Sequence, residues 1–251
     1  FGMEEFHEER QENRSEFQRD YDRLIFSAPF RRLQNKTQVF PLPGSVFVHN
    51  RLTHSLEVAS VGRSLGDDVA KALLERHPEL QDSFLPEIGS IVSAACLAHD
   101  LGNPPFGHSG EKAISTFFSE GKGVRLKEKQ PNGEQLSPME WEDLIHFEGN
   151  ANAFRILTHQ FEGRRKGGFV LTYTTLASIV KYPFSSSLAG KKSKFGFFVS
   201  EEESYRKIAT ELGLIQLSEQ PLKYARHPLV YLVEAADDIC YQIMDIEDAF
   251  K

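Results

Sequence analysis

Apolar residues recur at spacings of three and four along most of the chain, which is the period of amphipathic helices. The pattern predicts helices over residues 4–26, 55–76, 87–101, 109–118, 149–160, 172–181, 200–212 and 229–250, and another that starts at Pro138. Thr53, Ser109 and Ser200 are suitable caps for three of them. Alternating runs are scarce, and 38–48 and 196–199 are the best strand candidates. We therefore expect a mainly α fold, a helical bundle with at most a short β-hairpin, in one domain over 1–251.

Two stretches depart from the amphipathic pattern. Residues 87–101 are apolar almost all round, which predicts a buried central helix. Residues 121–137 are polar and interrupted by glycine and proline, which predicts a mobile surface loop. The chain begins with Phe1 and its last residues still have a helical pattern, so we expect that a C-terminal part of the natural protein is missing.

Composition narrows the class of protein and of partner. Among 251 residues 40% are hydrophobic and 26% charged, which is typical of soluble globular proteins. The net charge of −7 gives no general attraction to nucleic acid or anionic membranes, so an anionic substrate requires local basic groups or a metal. Cys96 and Cys240 lie in apolar helical runs and are predicted to be buried thiols. No run reaches the roughly 20 apolar residues of a membrane span, and we expect a cytoplasmic protein without membrane contact.

The stretch LAHDLGNPPFGHSGE at residues 97–111 carries the most specific chemical signal. His99 and Asp100 end the apolar central helix, and glycine and proline follow at once. Neighbours inside a helix point about 100° apart, but at a helix end their side chains can converge. A buried imidazole and a buried carboxylate both need partners, and a divalent cation satisfies both. A capped helix end with a hydrogen-bonded histidine is the alternative explanation of this dipeptide alone.

Further ligand candidates lie far away along the chain. His54 opens the helix that precedes the central one, and Asp237 and Asp238 lie on the last helix. On that helix Asp237, Tyr241 and Asp245 are spaced four apart and form one stripe beside the apolar face. A solvated charged face explains two of these carboxylates equally well, but it explains the tyrosine between them less well.

Six blocks of sequence resemble, in order, those of the deoxyguanosinetriphosphate triphosphohydrolase family of HD-domain metal-dependent phosphohydrolases. The blocks are FRRLQNKTQVFP at 30–41, NRLTHSLEV at 50–58, AHDLGNPPFGHSGE at 98–111, HFEGNANAFRIL at 146–157, VKYP at 180–183 and EAADDICYQIMDIEDA at 234–249. The resemblance covers most of the chain and implies the helical HD-domain bundle.

The resemblance implies one divalent metal ion held by four side chains. These are His54, His99, Asp100 and Asp237. Asp237 is preferred to Asp238 because Tyr241 and Asp245 then match the family's substrate-contacting positions. Two imidazoles and two carboxylates suit manganese or magnesium best, and iron, cobalt, nickel and zinc stay open.

The resemblance also implies the reaction and the substrate contacts. The family hydrolyses a deoxynucleoside triphosphate to deoxynucleoside and inorganic triphosphate. His108 and Glu111 match the family's catalytic pair, and their spacing predicts that the carboxylate orients the imidazole. The matching substrate-binding positions are Gln38, Arg51, Lys181, Tyr182, Tyr241 and Asp245. Tyr241 is expected to exclude a 2′-hydroxyl, and Asp245 to bind the 3′-hydroxyl; a purely structural tyrosine, its hydroxyl bonded to a neighbour, is the alternative.

Partners and rival functions follow from the same resemblance. A homo-oligomer, with a hexamer as the family's common form, and a single-stranded DNA or nucleotide effector are expected. Two alternatives stay open: another HD-type nucleotidase or phosphodiesterase, and a catalytically silent nucleotide-sensing or DNA-binding regulator. Base specificity cannot be inferred from these residues.

Overall fold

The computed structural model describes residues 1–2, 14–37, 50–128, 133–163, 166–190 and 193–249, and of residues 245 and 247–249 the backbone alone. The described helices are α1 (Glu16–Ile25), α2 (Ala28–Arg32), α3 (Arg51–Arg76), α4 (Ile88–Ala98), α5 (His108–Ser119), α6 (Pro138–Ile145), α7 (Gly149–Thr158), α8 (Tyr173–Ile179), α9 (Glu202–Glu211) and α10 (Val230–Ala249). A two-stranded antiparallel sheet joins β1 (Gln216–Ser218) to β2 (Lys223–Tyr224). The predicted mainly α class with a minor β element is confirmed.

Helix α4 is the centre of the fold. Every one of its residues except Ser90 is buried, and it packs against α1, α3, α8 and α10. Burying each large aliphatic side chain contributes about 1.5–3 kcal/mol, so the apolar composition of this helix dictates its central place. The helix ends at Ala98, which leaves His99 and Asp100 in the turn that follows.

The long helix α3 lies along α4 with unusually close backbones. A Cβ atom on Gly66 would lie 2.7 Å from the Cα atom of Gly89, and one on Gly62 would lie 2.5 Å from Sγ of Cys96. These glycines let α3 approach α4 without a side chain between them. The close approach sets the distance between the first turn of α3 and the end of α4.

Several predicted helix starts are corrected by the structure. The N-cap of α3 is Asn50 and not Thr53, because the Asn50 side chain accepts a 3.0 Å bond from the Thr53 amide. Helix α5 begins at His108, preceded by Gly107 with φ 53°, so Ser109 is no cap. A 3₁₀ turn over Val199–Glu201 precedes α9, which displaces the predicted cap at Ser200.

The strand predicted at 196–199 is wrong, and part of the predicted loop 121–137 is helical. Residues 196–199 form no strand, because the Gly196 amide bonds instead to the Phe184 carbonyl and Val199 starts a 3₁₀ turn. The other candidate, 38–48, lies outside the described residues, as do residues 3–13 of the first predicted helix. Lys122–Lys127 form a 3₁₀ helix within the predicted loop 121–137. None of the helices in the described ranges combines the length and hydropathy that a membrane span requires.

Candidate metal centre

Three helices bring distant parts of the chain to one point. His54 lies in the first turn of α3, Asp237 lies on α10, and His99 and Asp100 follow the end of α4. Since α10 and α4 both pack against α3, these side chains converge at the point where α3 begins. The Asn50 cap fixes that beginning.

The four side chains are linked by short pairwise distances, and Asp237 is connected to the group through His54 and His99. His54 Nε2 lies 2.9 Å from Asp237 Oδ1. His99 Nε2 lies 3.6 Å from Asp237 Oδ1 and 3.6 Å from Asp100 Oδ1. Donor atoms of His54, His99 and Asp100 all lie within 4.8 Å of one another. The residues that the sequence predicted as ligands are therefore neighbours in space.

Unpaired nitrogen atoms show that this group fits a cation. His99 Nδ1 donates to the Cys96 carbonyl at 2.6 Å, which leaves Nε2 as the ring nitrogen that faces the two carboxylates. His99 Nε2 is buried and has no hydrogen-bond partner, and the same is true of His54 Nδ1. A buried nitrogen without a partner is costly, and a metal ion at Nε2 of His99 would satisfy it.

The electrostatics of the group also favour a positive charge. Burial lowers the pKa of His99, but attraction to Asp100 and Asp237 outweighs burial and raises that pKa to about 9. Burial raises the pKa of Asp237, but its hydrogen bond with His54 and its attraction to His99 hold that pKa well below the ordinary value. The carboxylates thus attract a proton to His99, at the place where a divalent ion would replace it.

Asp100 is held on its outer side by Arg51 and Asn103. Arg51 Nη1 donates to Asp100 Oδ2 at 2.5 Å, and both side chains are buried. Asn103 Nδ2 donates to the other oxygen, Oδ1. Arg51, predicted to bind substrate, is therefore also the ion-pair partner of a predicted metal ligand.

The predicted pairing of His108 with Glu111 is wrong. Glu111 Oε1 accepts a 2.8 Å bond from the Gly149 amide, and Oε2 lies 3.5 Å from Lys194 Nζ. The free backbone amides at the start of α7 attract this carboxylate. His108 is exposed at the start of α5, and its side chain makes no hydrogen bond or ion pair with any described residue.

Sequence reasoning missed a buried carboxylate beside this pair. Glu148 is fully buried, caps α7 through the amides of Asn150 and Ala151, and holds Lys194 at 2.7 Å. Burial raises the pKa of Glu148, and the Lys194 ammonium opposes that rise. The available signal was Glu148 itself, immediately before the predicted helix 149–160, since a carboxylate is stabilised at a helix N-terminus.

The remaining predicted substrate residues that the structure describes lie in the segment after α8 and on α10. Lys181 Nζ pairs with Glu234 at 2.7 Å and lies 5.9 Å from the Tyr182 ring centre. The Tyr241 ring packs edge-on against His54 with ring centres 5.1 Å apart. Gln38 lies outside the described residues, and the same holds for the side chain of Asp245.

Fold and site together define a class of protein. The family model for the HD domain matches residues 51–217, which include His54, His99 and Asp100 and end before Asp237. The match covers well over half of the chain, and the chain therefore belongs to the HD domain family.

Curated relatives point to a narrower group. A deoxyguanosinetriphosphate triphosphohydrolase-like protein of Pseudomonas aeruginosa is 50% identical over 246 residues, which are 95% of this chain and 52% of the relative. Another from Synechocystis is 47% identical over 97% of this chain and 56% of the relative. A deoxyguanosinetriphosphate triphosphohydrolase of Yersinia enterocolitica is 37% identical over the whole chain and 53% of the relative. The chain thus spans about half the length of the curated relatives it matches.

Proposed function

We propose that the protein is a metal-dependent phosphohydrolase that cleaves deoxynucleoside triphosphates, with dGTP favoured, into deoxynucleoside and inorganic triphosphate. One observation carries this proposal: the buried Nε2 atom of His99, which has no hydrogen-bond partner, lies 3.6 Å from carboxylate oxygens of both Asp100 and Asp237. The names of the relatives support the substrate and the products.

His54, His99, Asp100 and Asp237 would hold one divalent ion. When bound, the ion supplies a Lewis acid that neutralises phosphate charge and lowers the pKa of a coordinated water. The nitrogen and oxygen donors favour manganese or magnesium and do not exclude iron, cobalt, nickel or zinc.

Cationic side chains beside the centre would bind the triphosphate. Arg51 uses Nη1 for Asp100, and its other N–H groups form a planar donor set that suits phosphate oxygens. Among the described residues Lys181 has one carboxylate ion-pair partner, Glu234, for three N–H donors, and its neighbour Tyr182 would contact the same phosphates. Because the chain as a whole has a net charge of −7, these local cations would supply the attraction for the anionic triphosphate.

The proposed reaction requires a proton for the leaving group. Water adds to the α-phosphorus and gives up a proton, the bond from phosphorus to the 5′-oxygen breaks, and this oxygen takes up a proton. His108 is the proposed donor, because it begins α5 soon after the metal ligands His99 and Asp100 in the chain, and no described residue bonds its imidazole. Glu111 would hold the first turn of α5 against the start of α7 through its bond from the Gly149 amide, and would not contact the His108 imidazole.

The sugar would lie against α10. The Tyr241 ring beside His54 is proposed to occupy the space that a 2′-hydroxyl would need. Asp245, one helical turn further, is the proposed partner of the 3′-hydroxyl, and Gln38 a further nucleotide contact. The homo-oligomer, the DNA or nucleotide effector and the cytoplasmic location stay predictions.

A product analysis tests this function. The protein is loaded with Mn²⁺ and incubated separately with each of the four deoxynucleoside triphosphates and with GTP, and products are separated by anion exchange. We expect equal amounts of deoxynucleoside and inorganic triphosphate, with dGTP the best substrate. Release of pyrophosphate and a nucleoside monophosphate would establish a different phosphohydrolase. Metal-independent nucleotide binding without hydrolysis would establish a regulator.

A further inference from the structure

The oxygen of Asp100 that faces the proposed ion has a single side-chain donor among the described residues, Asn103. Asn103 Nδ2 donates to Asp100 Oδ1, and this is the oxygen that lies 3.6 Å from His99 Nε2. Arg51 engages the opposite oxygen, Oδ2, at 2.5 Å. The two donors together fix the rotation of the carboxylate, and Asn103 acts on the edge that would bind metal.

The direction of the Asn103 amide follows from chemistry. An ionised carboxylate only accepts hydrogen bonds, so the NH₂ group must face Asp100 and the amide oxygen must point away. That oxygen lies against the first residue of α7, since a Cβ atom on Gly149 would come within 2.0 Å of Asn103 Oδ1. Only a residue without a side chain leaves room for the amide.

The backbone of Asn103 is also held from two sides. Its amide donates to the Asp100 carbonyl at 3.2 Å, and its carbonyl accepts a 2.9 Å bond from Lys36 Nζ. Lys36 also bonds to the Leu101 carbonyl at 3.2 Å. The turn after α4 is thereby tied to the segment that precedes α3, and Asn103 has little freedom to rotate.

We propose that Asn103 is a positioning residue of the metal centre, which aims Asp100 Oδ1 at the ion. This inference rests on the metal site of the proposed function. The amide is suited to the task because it donates without adding a positive charge that would oppose the ion. Gly149 contacts both Asn103 and Glu111: its missing side chain makes room for the Asn103 amide, and its own amide donates to Glu111 at 2.8 Å.

Two variants of Asn103 test the proposal. Asn103→Leu keeps the approximate shape and removes the donor, and Asn103→Ala removes the donor without any risk of a clash. The matched control is Asn35→Leu, because Asn35 is exposed and makes no side-chain bond to a described residue. Circular dichroism and thermal melting establish that each variant is folded.

Direct Mn²⁺ titration, followed by the electron paramagnetic resonance signal of free Mn²⁺, gives the affinity without reference to turnover. We expect both Asn103 variants to raise the Kd at least about tenfold, as loss of a hydrogen bond to a metal ligand does. Asn35→Leu should keep the wild-type Kd. Turnover of the Asn103 variants should recover as Mn²⁺ is raised, which a general structural defect would not allow.

The outcomes separate this inference from the proposed function. A folded Asn103 variant that binds Mn²⁺ with the wild-type Kd overturns the positioning role, whatever the substrate. Wild-type protein that binds Mn²⁺ but releases no triphosphate overturns the function and leaves the Asn103 measurement valid. If both variants fail to fold, or wild type binds no Mn²⁺, the positioning role is overturned as well.

Discussion

His54 Nε2 and Asp237 Oδ1 lie 2.9 Å apart although 183 positions separate them along the chain. The contact joins the first turn of α3 to α10, and His99 Nε2 lies 3.6 Å from the same oxygen. The buried His54 imidazole and the Asp237 carboxylate, whose pKa is depressed, thus meet beside His99 and Asp100, which follow the end of α4. The relationship underlies each functional prediction below.

Removal of one proposed ligand should abolish metal binding. His54→Ala deletes a donor from a four-residue set, and we expect Mn²⁺ affinity to fall by more than about 100-fold, with loss of hydrolysis. Calorimetric titration with Mn²⁺ measures the effect. His77→Ala is the matched control, because His77 lies exposed just past the other end of α3. Equal loss in both variants would refute a specific role for His54.

Removal of the proposed proton donor should spare metal binding. His108→Ala is expected to lower kcat by about 10²–10⁴-fold, the range for loss of a general acid or base, with the Mn²⁺ Kd unchanged. Steady-state kinetics of triphosphate release measures kcat. Ser109→Ala, at the neighbouring exposed position, should retain full activity. Unchanged turnover in His108→Ala would show that another group transfers the proton.

Shortening Tyr241 should weaken discrimination between deoxyribose and ribose. The ring packs on His54, and we expect Tyr241→Ala to raise kcat/KM for GTP relative to dGTP because space opens for a 2′-hydroxyl. Competition between the two nucleotides in one reaction gives the ratio directly. Tyr241→Phe keeps the ring and should keep the ratio. A ratio that is the same in Tyr241→Ala and wild type would assign the ring a packing role alone.

A methyl group between α3 and α4 should destabilise the fold. In Gly66→Ala the new Cβ would lie 2.7 Å from Gly89, so the helices must separate or bend. Overpacking of this kind costs about 1–3 kcal/mol, partly offset by the better helix propensity of alanine. Urea unfolding measures the free energy. Ser60→Ala, exposed on the same helix, should change it by less than about 0.5 kcal/mol.

Asp143 should make stability depend on pH. It is buried on α6 and accepts a 2.7 Å bond from the Val199 amide, and burial raises its pKa from 3.8 to about 6. The folded state therefore binds the proton more tightly, which contributes stability below pH 4 that is lost as the pH rises through 6. Asp143→Asn should remove a contribution of about 1–2 kcal/mol across this window.

Urea unfolding at pH 4 and pH 7 gives the comparison for Asp143. Wild type should lose more stability than Asp143→Asn between the two values. Asp68→Asn, at an exposed position of α3, should follow wild type. Parallel pH profiles for wild type and Asp143→Asn would mean that this carboxyl titrates normally in the folded protein.

The fold was predictable where one local signal dominates. The apolar run at 87–101 could only be a buried helix, and α4 lies at the centre. The prediction of a helix start failed where two suitable caps lie close together. Asn50 and Thr53 are both good caps, and the bond from the Thr53 amide to the Asn50 side chain makes Asn50 the N-cap. Strands β1 and β2 span only three and two residues, too few for an alternating pattern to be recognised.

Part of the candidate site could be predicted from the sequence, namely the residues whose place at a helix end or on one helix face indicates their neighbours. Placement at a helix end suggested that His99 and Asp100 converge, and the family resemblance implied that His54 and Asp237 complete the set. The partner of Glu111 was not predictable, because Gly149 is 38 positions away and only the packing of α5 beside α7 brings them together. For the same reason the roles of Glu148 and Asn103 emerged from the structure alone.

The most direct test of the account is an anomalous difference map from crystals of the protein grown with Mn²⁺. The account predicts one peak about 2.0–2.3 Å from donor atoms of all four side chains: His54, His99, Asp100 and Asp237. A map with no peak at this position, or with the ion bound by other residues, would contradict it.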